Sequence, residues 1–479
     1  MTESQSWWSG SPPVDDSPSR PDVADFKPIE QDAIPNPTEE ELQTRRIHIL
    51  GLGSIGTLVA HSLKCLPNPP PITLMLHRPS MYEIFKKHAR IIRLINKQSE
   101  VNDEQSGFDV DLLQRGEDGQ NYWRFIPDPP GGSAPVHHPN PTEPLEILPS
   151  DESYIYNLIV TVKGPSTIGA MLSIKHRVDA NTTICFLQNG LGQIDLLNSQ
   201  VFTDPKTRPT YMLGIVSHGA YMSGEFAVIH AGFGSIALGI HRDPDRFPLP
   251  SKSSVSSLSE ISEEQRKINY PTDKELFSNV SSRFLLRTLT RSPVLACAAF
   301  PYLDLFQLQL EKLSANAVMN PITALLNVPN GALAHNPALS MVQRMLLAEI
   351  SLVLRGLPEL EGIPNVHLRF SAQRLEHFVL GIIALTAENS SSMREDFRHF
   401  KMTEIDFING YIVRRGEEQG IKCAVNFMLM HLVKGKTWIQ RGAEGASLPY
   451  GVNRMESEVD SQGNVTLDDI SIPAKGKLS

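Results

Sequence analysis

The sequence predicts two domains, an N-terminal α/β domain built on a parallel sheet and an all-α helical C-terminal domain. Short apolar runs alternate with helical patterns in the first half of the chain, as in βαβ units. Beyond residue 280, apolar residues recur every three or four positions, which is typical of packed helices. A chain of 479 residues is long enough for both domains.

The α/β pattern covers residues 44–241. Its elements are a strand at 47–50, a helix at 57–66, a second strand at 72–76, and further strands at 158–162, 183–187, 211–216 and 225–229. Between them, residues 96–150 contain PDPPGGSAPVHHPNPTEP and show no periodic pattern. We interpret 96–150 as a surface insertion.

The helical pattern covers residues 280–441. Helices are predicted at 305–326, 341–357, 375–385, 406–415 and 424–433. Residues 242–279 are charged and Ser-rich and are predicted to form a linker or loop. Residues 1–43, with ten acidic residues, seven prolines and two basic residues, and the polar residues 442–479 are predicted to be disordered tails.

Charge and composition exclude several classes of function. A net charge of −9 disfavours nucleic-acid binding. The four cysteines are far apart, without C-x-x-C spacing, and are interpreted as reduced core residues; the histidines show no H-E-x-x-H pattern, so no metal site is predicted. We find no membrane-spanning or signal segment, which predicts a cytoplasmic protein and leaves a mitochondrial location open.

The motif GLGSIG follows the first strand and precedes the first helix, which is the context of a Rossmann-type dinucleotide-binding loop. Gly51 would allow the tight turn, Gly53 the approach of a pyrophosphate, and Gly56 the close packing of helix on strand. The helix N-terminus would then bind the negative charge. The predicted loop consists of Gly51, Leu52, Gly53, Ser54, Ile55 and Gly56.

Polar residues follow three more strands of the predicted sheet. Arg78 follows the second strand, Lys163 follows LIVTV, and Asn189 lies in QNGLG. Ligands bind at this edge of an open parallel sheet, so the three residues predict a cleft. A guanidinium at the Arg78 position suits the phosphate of NADP, where an acidic residue would suit NAD; the alternative is a solvated surface arginine.

Lys312, Asn316 and Asn320 recur every four residues in an apolar helical run and therefore share one face of the predicted helix. One interpretation is a polar stripe that faces solvent. The other is a buried stripe, which would need a polar ligand because each unpaired buried group costs on the order of 2–7 kcal/mol.

A second polar group lies in NSSSMREDFRHFKMTEIDFING. Ser392 and Glu395 have the spacing of a capping box, which predicts a helix from Met393. That helix start could hold a carboxylate or be a plain cap. Glu404 is either a buried carboxylate with a polar partner or an acid on the surface of a helix.

In order along residues 45–434, GLGSIG, Arg78, LIVTVK, QNGLG, SHGA, the Lys312 helix, NVPNG, NSSSM and TEIDFING resemble the ketopantoate reductase (2-dehydropantoate 2-reductase) family. The resemblance implies NADPH-dependent reduction of a 2-oxo acid in pantothenate and coenzyme A biosynthesis. It also implies that Lys312 is the general acid and that Glu404 binds the substrate hydroxyl. The implied substrate-binding residues are Asn189, Asn316, Asn320, Asn330, Asn389 and Ser392, and the implied cofactor-binding residues are the GLGSIG loop, Arg78, Lys163 and Asn189.

Burial among apolar neighbours is expected to move the pKa of Lys312 toward roughly 7–8. The predicted partner is a small 2-oxo acid, without nucleic acid or membrane, and the apolar helical domain is compatible with a homodimer. The alternatives are a reductase of another branched 2-oxo acid and a non-catalytic NADPH-binding regulatory protein. The tails and the two polar breaks, absent from compact family members, leave these alternatives open.

Overall fold

The computed structural model describes residues 44–97, 102–115, 121–129, 154–246 and 279–443. The remaining residues include the predicted tails and most of the Ser-rich segment. Predictions for residues 1–43, 247–278 and 444–479 therefore lie outside the described part of the chain.

Thirteen strands are found in the described residues and form two sheets. They are β1 (Ile47–Leu50), β2 (Ile72–Leu76), β3 (Ile92–Asn96), β4 (Asn102–Gln105), β5 (Asp109–Arg115), β6 (Asn121–Ile126), β7 (Asn157–Val160), β8 (Thr183–Phe186), β9 (Thr210–Val216), β10 (Gly219–Gly224), β11 (Ala227–Gly232), β12 (Ile236–Ile240) and β13 (Cys297–Ala299).

The larger sheet has nine strands in the order β13-β12-β9-β8-β7-β1-β2-β5-β6. Its centre, from β9 to β5, is parallel. Strands β1, β2, β7 and β8 are buried along their whole length, which explains their continuous apolar sequences. The carboxyl ends of these strands consequently meet at one edge of the sheet.

Three helices of eight or more residues accompany the first strands, α1 (Ser54–Lys64), α2 (Pro79–Lys87) and, after the short α3 (Thr167–Leu172), α4 (Gln193–Gln200). Helix α1 contacts β1 and β2 of the larger sheet on one side. On the other side it contacts the four-stranded sheet, whose order is β10-β11-β3-β4. Helix α1, which follows the GLGSIG loop, therefore lies between the two sheets.

Two predictions about the sheet were wrong. Residues 96–150 are not a mere insertion, because β5 pairs in parallel with β2 and β6 extends the sheet beyond it. The sequence pattern did not reveal β5 because this strand contains the charged residue Asp111. Asp111 is buried and pairs with Arg177, with 2.9 Å between Asp111 Oδ2 and Arg177 Nη2. The strand predicted at 225–229 is β11, which belongs to the smaller sheet. Residues 130–153 lie outside the described part.

The helical domain was predicted from residue 280, but residues 280–299 belong to the α/β domain, because β13 pairs with β12 and Leu285 and Leu289 lie in the core of that domain. The second half of the described chain is otherwise mainly helical. Its helices are α5 (Val280–Thr290), α6 (Tyr302–Leu326), α7 (Pro337–Arg355), α8 (Val366–Arg369), α9 (Ala372–Leu385), α10 (Ser392–Arg398), α11 (Asn409–Glu418) and α12 (Ala424–Ala443). Helix α6 is the central element and contacts α7, α9, α10 and α12. It is buried around most of its circumference, so its polar residues need partners or a cleft.

By length and composition, α7 is the one helix in the described residues that could cross a membrane. Its Leu346, Leu347 and Ile350 lie in the helical core, so packing within the domain accounts for its apolar character. Among the cysteines, Cys185 and Cys423 are buried as predicted, whereas Cys65 at the end of α1 is exposed.

The two domains meet at the carboxyl ends of β7 and β8. The Phe407 ring packs where a Cβ on Gly164 would lie 2.6 Å from the ring, and a Cβ on Gly190 would lie 2.4 Å from the Phe407 carbonyl oxygen. The Leu191 amide donates to that carbonyl across the interface at 2.8 Å. This contact brings the helical domain against the strand ends.

Candidate active site

The GLGSIG loop has the geometry of a phosphate cradle. Gly51 has a φ of +103°, and a Cβ on Gly56 would lie 1.9 Å from the Gly51 carbonyl oxygen, so both positions require glycine. A Cβ on Gly53 would meet no atom of the described residues within 4 Å, which leaves open space beside this part of the loop. Helix α1 begins here without a side-chain cap or an acidic residue in its first turn. Its free amides therefore fit a pyrophosphate.

Arg78 lies two residues beyond β2 and is exposed, as is the neighbouring His77. Within the described part of the chain, its guanidinium makes a weak contact, 3.6 Å from Nη2 to Met81 Sδ. Partial burial and the Arg78 charge lower the pKa of His77, and the Glu225 charge opposes that shift. No carboxylate among the described residues forms an ion pair with this guanidinium, which suits a phosphate ligand.

Lys312 projects from α6 into the interdomain cleft. Its ammonium donates to the Val216 carbonyl at 2.7 Å and to Asn189 Oδ1 at 3.0 Å. Burial lowers the pKa of Lys312 to about 8, and the nearby Glu404 carboxylate opposes that shift. The direction agrees with the expectation from the sequence. An ammonium with this pKa can release a proton near neutral pH.

Glu404 is buried near Lys312. Of the two alternatives from the sequence, the structure agrees with a buried carboxylate that has polar partners. Asn189 Nδ2 donates to Glu404 Oε2 at 3.3 Å, and the Gly164 amide donates to Oε1 at 3.4 Å. Asn189 therefore bridges the lysine and the carboxylate. The β8 loop and the TEIDFING segment, 215 residues apart, position this pair.

Lys163 joins the same cluster from the end of β7. Its Nζ lies 2.9 Å from Asp396 Oδ2 and 3.6 Å from Glu404 Oε2. Burial favours the neutral amine, but the two carboxylates outweigh it and raise the pKa of Lys163. Burial also favours the neutral form of Asp396 and raises its pKa, whereas the Lys163 charge opposes that shift. We did not identify Asp396 from the sequence, although its place in REDF, after the Ser-rich helix start, was a usable signal.

Asn316 lines the cleft one turn beyond Lys312, and Asn320 follows on the same side of α6 with 6% exposure. The stripe is therefore half-buried to buried, not a solvated face. Gln309, which the sequence analysis missed, precedes Lys312 by one turn and lines the same cleft. Its Oε1 is buried without a hydrogen-bond partner among the described residues.

Three implied substrate-binding residues lie beyond this cluster. Asn330 is buried, donates from Nδ2 to Thr386 Oγ1 at 3.0 Å and donates its amide to the Asn389 carbonyl at 3.0 Å. The Asn389 and Ser392 side chains are exposed near the start of α10. The hydrogen-bond partners of Lys312 and Glu404 in the described part of the chain do not include these three side chains, so the structure does not join them to the cluster.

The predicted helix cap was misplaced by one residue. Ser391, not Ser392, caps α10, because its Oγ accepts the Arg394 amide at 3.2 Å. Ser391 Oγ also accepts a hydrogen bond from Thr323 of α6 at 2.7 Å. A run of three serines gives equivalent patterns, and only the contact with α6 selects among them.

The cleft itself is small and polar on one side. Its lining consists of Gln188, Asn189, Gly190, Gly214, Ile215, Gln309, Lys312, Leu313 and Asn316. The arrangement combines an ammonium of lowered pKa, a carboxylate acceptor and several amides next to a dinucleotide-type loop. Such a set can protonate an oxygen while holding a hydroxyl and a carboxylate of a small molecule.

Comparisons with known proteins agree with this arrangement. Residues 47–243 match the family "Ketopantoate reductase PanE/ApbA", and residues 304–437 match "Ketopantoate reductase PanE/ApbA C terminal". Together the two matches cover more than half of the chain.

Relatives from two yeasts match this chain over nearly their full lengths. The probable 2-dehydropantoate 2-reductase of Schizosaccharomyces pombe is 26% identical, with 82% of this chain and 97% of the relative covered. The 2-dehydropantoate 2-reductase of Saccharomyces cerevisiae is 25% identical, with 79% and 91% covered.

Solved structures share the fold. A PanE/ApbA family ketopantoate reductase from Ralstonia eutropha JMP134 has a TM-score of 0.54 at 20% identity, with 83% of this chain and 99% of that chain covered. A D-mandelate dehydrogenase with NADH and anilino(oxo)acetate has a TM-score of 0.56 at 17% identity, over the same shares. The chain therefore belongs to the ketopantoate reductase family and is an oxidoreductase with a Rossmann-type domain followed by a helical domain.

Proposed function

We propose that the protein reduces 2-dehydropantoate to pantoate with NADPH, the reductive step in pantothenate and coenzyme A biosynthesis. The observation that carries the proposal is the Lys312 ammonium, which is directed into the interdomain cleft with its pKa lowered to about 8. The yeast relatives, named for this reaction, cover most of the chain and support the choice of substrate.

Lys312 is the proposed general acid. Reduction of a 2-oxo group places negative charge on the carbonyl oxygen, and a proton delivered from Nζ neutralises it. The Val216 carbonyl and Asn189 Oδ1 fix the direction of the ammonium, leaving its third N–H for the substrate oxygen. The lowered pKa makes the ammonium a stronger acid and suits this transfer, because the best catalytic pKa lies near the working pH.

Glu404 is the proposed acceptor for the substrate hydroxyl. Both of its oxygens already receive weak hydrogen bonds of 3.3–3.4 Å from the nucleotide-type domain, so an additional donor can be accommodated. Asn316 and Asn320 offer amide donors for the substrate carboxylate. Asn330, Asn389 and Ser392 stay predicted substrate contacts that closure of the domains would bring nearer.

NADPH is the proposed cofactor. The GLGSIG amides and the start of α1 would hold the pyrophosphate, Arg78 the 2′-phosphate, and Lys163 and Asn189 the nicotinamide side of the cleft. When bound, the nicotinamide supplies the hydride. The chain's own contribution is to orient the carbonyl, donate the proton from Lys312 and limit access of water.

A reductase of another 2-oxo acid is the second candidate. The D-mandelate dehydrogenase with NADH and anilino(oxo)acetate shares the fold, so this architecture accommodates 2-oxo compounds with aromatic substituents. The non-catalytic regulatory alternative is disfavoured because Lys312, Asn189 and Glu404 form a connected set that cofactor binding alone does not require.

A substrate panel distinguishes these candidates. Purified full-length protein is mixed with NADPH or NADH and with 2-dehydropantoate, phenylglyoxylate or short branched 2-oxo acids, and oxidation of the cofactor is followed. The proposal predicts the highest kcat/KM with 2-dehydropantoate and NADPH. A higher value with another 2-oxo acid would establish the second candidate, and tight NADPH binding without turnover on any substrate would establish the regulatory protein.

We propose that the protein is a homodimer and, as predicted from the sequence, cytoplasmic. Exposed apolar side chains on α7 (Met341, Met345) and α12 (Phe427, Met428) support an interface on the helical domain. A ketopantoate reductase from Staphylococcus aureus described as dimeric shares the fold, with a TM-score of 0.50. Sedimentation of the purified chain tests the assembly: a single monomeric species at micromolar concentration would contradict it.

A further inference from the structure

We propose that His61, Cys65 and Asp103 form a binding site for a divalent transition-metal ion of the zinc type. The three residues are the one group of potential metal ligands in the described residues whose ligand atoms all lie within 4.8 Å of one another. They lie where the C-terminal end of α1 meets β4, at the end of α1 opposite the glycine loop. The site is thus separate from the catalytic cleft, and the inference does not depend on the proposed reaction.

The distances match tetrahedral coordination. Cys65 Sγ lies 3.6 Å from His61 Nδ1 and 3.7 Å from Asp103 Oδ2. Zinc–sulfur bonds of about 2.3 Å and zinc–nitrogen or zinc–oxygen bonds of about 2.0–2.2 Å at tetrahedral angles place such ligand pairs roughly 3.6 Å apart. The i, i+4 spacing of His61 and Cys65 on α1 produces the first of these distances.

The histidine is oriented as a metal ligand. His61 Nε2 lies 3.1 Å from the Asp103 carbonyl oxygen, so the Nε2–H donates to it and the lone pair of Nδ1 is directed toward Cys65. Burial lowers the pKa of His61, which keeps the ring neutral, the form that binds metals. A backbone carbonyl that holds the second ring nitrogen is the usual support of a metal-bound histidine.

The remaining ligands are adjustable. Asp103 Oδ2 is 3.7 Å from His61 Nε2, and the Asp103 side chain is 53% exposed, so it can rotate toward a metal at Nδ1. Cys65 is also exposed, which allows solvent to supply a fourth ligand. The sequence spacing did not indicate the site because Asp103 lies 38 residues from Cys65.

Metal binding would change the protonation state of Cys65. Burial and the neighbouring Asp103 carboxylate raise the pKa of Cys65 to about 11, so without a metal the thiol keeps its proton. Binding forms the metal–sulfur bond and releases that proton to solvent, so affinity rises with pH. A bound ion would tie α1 to β4 and thereby stabilise the packing of the smaller sheet on the nucleotide-type helix.

Cobalt titration of the full-length protein tests the site. We expect one equivalent of Co²⁺ to produce a thiolate-to-cobalt charge-transfer band that Zn²⁺ abolishes by displacement. The band should be lost in Cys65→Ser and retained in Cys297→Ser, which removes a thiol outside the cluster. Absence of the band from the unaltered protein, or its persistence in Cys65→Ser, would overturn the proposal.

Asp103→Asn provides a second test that does not depend on the cysteine variant being folded. Its side chain is exposed, so the fold should tolerate the change. We expect Co²⁺ affinity to fall at least about 10-fold, because loss of a charged ligand should cost no less than loss of an outer-shell partner. Unchanged affinity in Asp103→Asn would overturn the three-ligand arrangement.

Discussion

The two ends of the cleft are organised in opposite ways. At the nucleotide end, as far as the described residues extend, the GLGSIG loop leaves open space beside Gly53 and Arg78 has only a weak contact with Met81. At the substrate end, Lys312, Asn189, Glu404, Lys163 and Asp396 form one chain of hydrogen bonds and ion pairs across both domains.

The difference reflects what each end must hold. A dinucleotide is charged and has many polar atoms. Backbone amides and one arginine can therefore stay solvent-exposed until it binds. A small 2-oxo acid offers few contacts, and the proton donor must be placed before the substrate arrives. Changes at the substrate end should therefore reduce the chemical step, whereas changes at the nucleotide end should reduce cofactor affinity.

Lys312→Ala should have the largest effect. Loss of a positioned general acid reduces kcat by about 10²- to 10⁴-fold, while NADPH affinity in the absence of substrate should change little. Stopped-flow turnover and fluorescence titration of NADPH measure the two quantities. Lys422→Ala, which removes an exposed lysine of the same domain, is the control and should retain full activity. A normal kcat in Lys312→Ala would remove the proposed acid.

Two glycine variants separate the structural and binding roles of the loop. Gly56→Ala places a Cβ 1.9 Å from the Gly51 carbonyl oxygen and should reduce the free energy of unfolding by on the order of 1–3 kcal/mol. Gly53→Ala meets no atom and has an extended backbone conformation, so the protein should stay within about 1 kcal/mol of its original stability. Chemical denaturation measures both.

Gly53→Ala also tests whether the cofactor approaches the loop at this position. Gly53→Ala should nevertheless raise the Kd for NADPH, because its methyl group occupies the open space beside the loop. An unchanged Kd in Gly53→Ala would show that the cofactor does not approach the loop there.

Arg78→Ala should change cofactor preference with little effect on the chemical step. Loss of a charged hydrogen bond to phosphate, worth about 1.5–3 kcal/mol, should raise the KM for NADPH roughly 10- to 100-fold and leave the KM for NADH unchanged. Lys87→Ala, an exposed cation at the end of α2, serves as the control. Equal effects on the two cofactors would contradict a 2′-phosphate contact.

A pair of serine variants tests the smallest expected effect. Ser391→Ala removes the cap of α10 and should lower the free energy of unfolding by about 1 kcal/mol. Ser392→Ala alters an exposed hydroxyl and should leave stability unchanged, while raising the KM for the substrate if Ser392 contacts it in the closed form. Equal losses of stability in thermal unfolding would contradict the assignment of the cap to Ser391.

Local patterns were sufficient for much of this architecture. The bounds of β1 and β2 were predicted from their apolar runs, and the four-residue spacing in α6 singled out Lys312 and Asn316, which line the cleft. These features depend on residues that are neighbours in the sequence. The strand β5 was missed because the charge of Asp111 is compensated by Arg177, which no local pattern reveals.

The same limit applies to the site. Asp396 was overlooked because its partner, Lys163, lies 233 residues away, and the metal ligand Asp103 is likewise remote from α1. Asn330 stays a predicted substrate contact, but the hydrogen bond from its Nδ2 to Thr386 Oγ1 could not be inferred from the sequence. Contacts between distant segments, which decide whether a polar residue is available, emerge only from the folded chain.

The pH dependence of kcat/KM, measured in both directions, tests most directly the claim that Lys312 is the proton donor. Reduction requires the charged ammonium, so its kcat/KM should fall as the pH rises through about 8, and oxidation of pantoate should rise over the same interval. Because the Glu404 charge raises the pKa of Lys312, Glu404→Gln should move both transitions to lower pH. Reduction that stays constant through this range, or a transition that survives in Lys312→Ala, would contradict the account.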